Sequence, residues 1–177
     1  LAGSEHNIMH MVLMLVQRYM KLSTKQLSAL PALEAPQEYP DVGVYHPRMK
    51  GLFSEQSSDL PNIKRQDQPA VGLLVLRSYL LAGNTAHYDA VIDALEAKGL
   101  RVIPAYSSGL DARCAIDAYF KKGDTPVIEA LVSLTGFSLV GGPAYNDAKA
   151  AQEALKQLDV PYIAAHPVEF QSLDQWG

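Results

Sequence analysis

Four short apolar runs, separated by stretches of helical spacing, constrain this chain more than any other feature of it. Val71-Gly72-Leu73-Leu74-Val75-Leu76 is continuous, of strand length and free of polar positions. That is the pattern of a strand covered on both faces. Runs of the same kind recur at Arg101-Val102-Ile103-Pro104-Ala105-Tyr106, at Ala130-Leu131-Val132-Ser133-Leu134 and at Val160-Pro161-Tyr162-Ile163-Ala164-Ala165. Between them the period changes from continuous to helical. Tyr88 to Lys98 places Val91, Ile92 and Leu95 on one side, with Gly99 where a C-cap belongs,. Asp111 to Phe120 does the same with Ala115, Ile116, Tyr119 and Phe120, and Asn146 or Asp147 can cap a third helix that runs to Leu158,.

Strand and helix therefore alternate three times with short connections. This predicts parallel strands joined by right-handed crossovers. The expected fold class is α/β: a flavodoxin-like or Rossmann-like parallel sheet from about Ala70 to Pro167, helices on both faces, strand order 2-1-3-4.

Upstream of Ala70 the rhythm is lost. Pro31, Pro36, Pro40, Pro47, Pro61 and Pro69 punctuate the segment, and proline suppresses helix interiors and central strands alike,. Only Asp41-Val42-Gly43-Val44-Tyr45 reads as a short strand, ending at His46-Pro47. Ser54 to Gln68 is polar and reads as an exposed connection. Before the prolines, Ser4 is placed to cap a helix over about Glu5 to Leu22,. Ile8, Met9, Met11, Val12, Leu13, Met14, Leu15, Val16, Tyr19 and Met20 leave that helix hardly any polar face, which predicts burial on several sides,. One domain of this size would not surround it. The expected division is an N-terminal helix and irregular extension over 1–69, belonging with a neighbouring domain of a larger parent, and an α/β domain over 70–177. A start at Leu1 rather than Met agrees with an excised piece.

Composition sets further bounds. Hydrophobic residues make up 48% and charged residues 19%, the balance of an ordinary globular domain,. A formal charge of −4 offers no basic field for phosphates, which excludes a general nucleic-acid binder,. The apolar run Ile8 to Val16 is too short to span a bilayer and has neither the basic flank nor the cleavage site of a signal peptide. A single cysteine, Cys114, removes any internal disulfide or multi-cysteine metal site; inside a predicted helix it reads as a buried, inert thiol,.

In sheets of this kind ligands bind beyond the carboxyl ends of the strands. Four loops fall there: Arg77 to His87, Ser107 to Asp111, Thr135 to Asp147 and His166 to Gln171. The first has Gly83 for a tight backbone and Asn84 or Thr85 as cap; it reads as a capped turn or as a helix start that receives an anion, without the glycine fingerprint or lysine of a nucleotide site. The third is long and carries Phe137, Leu139 and Val140, which favours packing against another domain over lining an apolar pocket. His46 and His166 each end a strand before a proline and read as hydrogen-bonded structural residues. His6 and His10 are four apart on the predicted helix but lack the glutamate of the zinc-protease motif and an evident third ligand, so the pair reads as incidental,. Ser107, Ser108 and Ser138 are outside any G-x-S-x-G context.

The strings Val71 to Tyr79, Gly83 to Asp89, Ser107 with Gly109 to Arg113, Ser133 to Asp147 and Ala165 to Gln171, with Asp41 to Pro47 upstream, resemble one family closely. It is the large-subunit family shared by magnesium chelatase, as its H subunit, and aerobic cobaltochelatase. The Thr135-Gly136-Phe137-Ser138-Leu139-Val140-Gly141-Gly142-Pro143-Ala144-Tyr145-Asn146-Asp147 string is the most specific part and matches the magnesium branch. The resemblance implies an internal fragment from the N-terminal half of a porphyrin-binding subunit on which Mg²⁺ enters protoporphyrin IX, on the way to chlorophyll. It implies as partners the rest of that large subunit, two AAA+-class subunits that hydrolyse ATP, and a porphyrin-binding regulator. It also implies a bacterial cytoplasm or a chloroplast stroma. The alternatives are a cobaltochelatase large subunit or a docking module without porphyrin contact. Insertion needs a proton acceptor and ligands that strip water from Mg²⁺. With no carboxylate cluster at the strand ends, those groups are expected outside this segment, which would be inactive alone. Arg77, Asn84, His87, Thr135, Phe137, Tyr145 and His166 are the candidate cavity or interface residues, with His87 and His166 the candidates for catalysis.

Overall fold

The strands form where the continuous apolar runs lie. The computed structural model describes residues 2–62, 65, 67–142, 145–166 and 172–176. Its elements in order are α1 (Glu5–Tyr19), α2 (Thr24–Ser28), β1 (Val42–Tyr45), β2 (Phe53–Ser54), β3 (Ala70–Leu74), α3 (Arg77–Leu81), α4 (Ala86–Ala97), β4 (Arg101–Ser107), α5 (Arg113–Tyr119), β5 (Lys121–Lys122), β6 (Thr125–Pro126), β7 (Ala130–Ser133), β8 (Gly141–Gly142), β9 (Tyr145–Asn146), α6 (Ala148–Leu158), β10 (Tyr162–Ala164) and α7 (Leu173–Trp176). The backbone divides into two compact units, Leu1–Tyr39 with Ser78–Asn84, and Pro40–Arg77 with Thr85–Gly177.

The larger unit carries a six-stranded sheet in the order β10-β7-β3-β4-β1-β2. Its four βα strands are parallel and run 2-1-3-4 as expected, with Leu73 opposite Pro104 on one side and Val132 on the other. The sheet is mixed rather than purely parallel, because β1 joins β4 antiparallel and β2 then pairs with β1. Residues assigned from sequence to an irregular extension therefore supply two strands of this sheet. β1 lies within the short strand read over Asp41–Tyr45, flanked but not interrupted by prolines, whereas the two-residue β2 has no such signal. Pro104, which has no N–H to give, lies one residue past the β1–β4 pairing, which ends at Val44 and Ala105,.

Burial follows the period of each element. All five residues of β3 are buried. Ala115, Ile116 and Phe120 of the α5 segment join Leu74, Ile103, Leu131 and Leu158 in one apolar core. Cys114 points the other way and is exposed, which corrects the expectation of a buried thiol: its neighbours Ala115 and Ile116 occupy the inward face. The Ser54–Gln68 connection is also anchored more than its polarity predicts, since Leu60 and Asn62 are buried within it.

A polar network fastens β1 to α4. His46 is fully buried; the Arg48 N–H donates to its Nδ1 at 3.2 Å, and its Nε2 faces Glu96 Oε1 at 3.1 Å. Because Nδ1 accepts, the ring proton sits on Nε2 and the imidazole is neutral. Burial pushes the His46 pKa below its ordinary value against the opposing pull of Glu96,. The Asn62 amide donates to the same Glu96 oxygen at 2.8 Å and to Val102 O at 2.9 Å. Arg48 pairs with Glu96 and Asp93 outside it. Beside this network Tyr45 donates to Asp89, which also accepts from Thr85 Oγ1.

In the smaller unit α1 forms, capped by Ser4, but its buried side is not the apolar one. Asn7, His10 and Leu13 are buried, whereas Ile8, Met9, Met11, Val12, Met14 and Leu15 are 41–51% exposed. This chain thus does not enclose the helix, as a domain of this size would not; what it buries is the polar side. The reason is backbone satisfaction: the segment over 34–37 has no secondary structure, and α1 supplies its partners. Asn7 donates to Gln37 O and accepts from Gln37 N–H, and His10 Nδ1 accepts from Glu34 N–H.

Candidate functional site

Three parallel strands, β3, β4 and β7, end side by side, and a narrow cleft of about 20 Å³ opens above them. The strand order places this cleft at the reversal between first and third βα strands, where such sheets bind ligands. Its walls come from Leu74 to Leu76 at the end of β3, from Ser107, Gly109, Leu110 and Ala112 at and beyond the end of β4, and from Ser133, Thr135 and Phe137 to Leu139 at and beyond the end of β7.

The second and third loops hold each other in place. Ala112 N–H donates to Leu139 O at 3.0 Å and Gly141 N–H to Leu110 O at 3.1 Å, around a bridge between Asp111 and Val140. Gly141 turns this strip with a φ of +112°, and a Cβ there would sit 3.0 Å from Asn146 Cα, so only glycine fits,. Leu139 and Val140 are 4% exposed. Both pack within their own domain, and Leu139 also lines the cleft. Phe137 alone of the three stays open, at 37%.

Each hydroxyl named in the cleft has a local partner. Ser107 Oγ donates to Asp111 O at 2.9 Å, Ser133 Oγ and Thr135 Oγ1 share a hydrogen bond of 3.0 Å, and Ser138 Oγ donates to Val140 O at 3.4 Å. None of the described lining residues is ionisable at neutral pH. At the rim, Arg113 Nε donates to both carboxylate oxygens of Asp111, at 2.9 and 3.0 Å, and holds that carboxyl below its usual pKa. The arrangement has no activated nucleophile and no acid–base pair among the described residues,.

The sequence candidates scatter. Thr135 and Phe137 line the cleft, whereas Arg77, Asn84, His87, Tyr145 and His166 do not. Arg77 opens α3, largely buried, with a long-range ion pair of 3.9 Å to Asp41. His87 lies half-buried on α4, its ring 3.9 Å from that of Tyr88. Asn84 is exposed in the smaller unit. Tyr145 is 67% exposed on β9 and donates to Asp147 at 3.3 Å. His166 is exposed just after β10, and residues 167–171 of the fourth loop, like Pro143 and Ala144 of the third, lie outside the described residues. Missed from the sequence were the partners of the histidines, Glu96 for His46 and Glu34 for His6 and His10, which no local spacing announces.

The larger unit is a mixed α/β domain whose switch-point cleft, among the described residues, is lined without ionisable groups. The chain belongs to the CobN/magnesium chelatase family, whose model matches residues 1–177. It is 56% identical over 177 residues to the H subunit of magnesium chelatase from Cereibacter sphaeroides, covering 100% of this chain and 14% of that protein. It is 35% identical over 195 residues to the chloroplastic ChlH subunit of magnesium chelatase from Oryza sativa, covering 99% of this chain and 13% of that one. Among solved structures, the catalytic subunit of cobaltochelatase from Mycobacterium tuberculosis shares the fold, with a TM-score of 0.56, 21% identity and coverage of 99% of this chain and 13% of that one. The chain thus spans about one-seventh of the length of the relatives it matches.

Proposed function

We propose that this chain is a segment of the porphyrin-binding H subunit of a magnesium chelatase, the enzyme that inserts Mg²⁺ into protoporphyrin IX for chlorophyll synthesis. Mg²⁺ and the porphyrin are substrates of the complete protein; AAA+-class partners hydrolyse the ATP, and a porphyrin-binding regulator assists. A bacterial cytoplasm or a chloroplast stroma would house it. The observation that carries the reading is the 56% identity to an H subunit across all 177 residues. The same identity supports the magnesium branch over a cobaltochelatase.

Within that reading the larger unit is a flavodoxin-like wall, with β1 and β2 as an added edge. Proton uptake and Mg²⁺ delivery then fall to groups elsewhere in the parent protein, because the described lining of the cleft is not ionisable,. Phe137 and Leu110, exposed at its mouth, are the contact surface for porphyrin or for a neighbouring domain.

The test is Mg²⁺ insertion by the complete protein with its partners. His87→Ala and His166→Ala are expected to keep kcat within about two-fold of the native value, whereas Phe137→Asp lowers kcat/KM by about ten-fold or more. Loss of turnover in either histidine variant with unchanged porphyrin binding would return that histidine to the chemistry and overturn the wall reading.

A further inference from the structure

We propose that His6, His10 and Glu34 form a site for a divalent transition-metal ion of the zinc class, separate from the Mg²⁺ that a chelatase delivers. The two histidines are one helical turn apart on α1, which puts both rings on one face, with centroids 4.4 Å apart,. The missing third ligand comes from 24 residues down the chain. Glu34 lies in the segment that Asn7 and His10 hold by its backbone, and its side chain is brought back over the histidine pair. One ligand atom from each of the three residues lies within 4.8 Å of the other two, and His6 Nε2 is 3.9 Å from Glu34 Oε2.

Ligand atoms around tetrahedral zinc are about 3.3 Å apart, given metal–ligand distances near 2.0 Å. Closing the set needs only small movements. The Glu34 side chain, 65% exposed, is free to make them, while His10 is held at 7% exposure. His6 Nε2 is shielded from solvent and has no hydrogen-bond partner among the described residues, an unmet polar atom aimed at the same carboxylate,. A neutral imidazole has one lone pair, and that of His10 is taken by the Glu34 N–H. The ion therefore binds His10 by displacing this one neutral hydrogen bond in exchange for a metal–nitrogen bond.

The donor set decides the metal. Two imidazoles and one carboxylate suit Zn²⁺, Co²⁺ or Ni²⁺ and leave a fourth position for water or for a further ligand. Mg²⁺ prefers octahedral oxygen and gives up water reluctantly, so it does not compete here.

The experiment titrates Zn²⁺ into the full chain by calorimetry and follows Co²⁺ by visible absorption, each with and without excess Mg²⁺. One equivalent of saturable Zn²⁺ and a tetrahedral Co²⁺ spectrum, both indifferent to Mg²⁺, are expected. His6→Ala and Glu34→Gln should each weaken binding by at least about ten-fold, the loss that removal of even an outer partner brings at metal sites. Glu34→Gln keeps the backbone N–H that orders His10 and alters an exposed side chain, so it separates loss of a ligand from loss of fold. His166→Ala should change nothing. Absence of saturable Zn²⁺ binding, binding unchanged in both His6→Ala and Glu34→Gln, or displacement by Mg²⁺ would overturn the proposal. None of these outcomes bears on porphyrin metalation by the complete protein.

Discussion

His46 Nε2 and Glu96 Oε1, fifty residues apart in the chain, meet at 3.1 Å inside the larger unit. The imidazole gives its one proton to Glu96 and takes one from the Arg48 backbone, so it stands as a neutral hinge pin between the β1 turn and α4. Replacing it with leucine leaves the buried carboxylate without that donor and the Arg48 N–H without its acceptor. His46→Leu is expected to cost about 1–3 kcal/mol, the usual penalty for orphaning buried polar groups. Urea unfolding of the two chains measures it. Arg48→Ala, at the half-exposed rim of the same network, should cost under about 1 kcal/mol because solvent screens its ion pairs,.

The same histidine makes stability depend on pH in a defined direction. Its pKa is lowered in the fold, whereas the unfolded chain binds a proton near the ordinary value of about 6.5,. Below that pH the unfolded state therefore holds more protons, and stability falls with pH until the folded pKa is passed. Melting temperature measured from pH 7.5 down to 5 should drop in the native chain and drop less in His46→Leu. Equal slopes in the two chains would remove His46 from the account.

At the other end of the scale two phenols act together. Burial and Asp89 push Tyr45 up to about 12, and burial pushes Tyr106 up to about 12. Unfolded tyrosine ionises near 10, so the fold keeps protons that the unfolded chain has released, and its stability declines as pH rises from about 10 through 12. Phenolate absorbance should show these two groups titrating late, together with loss of the far-ultraviolet dichroism. Two early, reversible titrations would contradict it.

Gly43 lies opposite Tyr106 in the β1–β4 pairing. A Cβ there would stand 2.7 Å from Tyr106 Cζ and 2.9 Å from Ser54 O. Gly43→Ala therefore has to move a buried ring or a strand, at a cost of about 1–3 kcal/mol. Gly3→Ala, with no described atom within 4 Å of the added methyl, is the control and should stay within about 0.5 kcal/mol of the native chain,.

Much of the fold could be read from the sequence because its signals are local. The run over Ala70–Leu74 needs no partner to announce a buried strand, and the helices that follow carry their own spacing. What stayed hidden depends on distant partners. β1 reads as a short strand from its own residues, but its antiparallel place beside β4, with β2 added outside it, does not. Which side of α1 this chain buries was not legible locally, because burial there follows the backbone needs of residues 34–37, which Asn7 and His10 meet. Leu139 and Val140 looked like an exposed apolar surface until the strip joining them to Leu110 and Ala112 turned them inward. Of the candidate site, the second and third loops lie at strand ends around the cleft, whereas Arg77–Leu81 of the first forms a helix and 167–171 of the fourth lie outside the described residues; of the candidates, Thr135 and Phe137 line the cleft. Side-chain direction in a loop is set by contacts across the loop, not by position along it.

The antiparallel attachment of β1 also has a consequence in time. β1 must find β4 across some sixty residues, about as far as β3 reaches to β7, and bears that closure entropy before any contact offsets it,. The His46–Glu96 pin can close only once that pairing is made, so it is expected among the later contacts,. Its strength sets how fast the domain opens rather than how fast it folds, and so governs the lifetime of the native state.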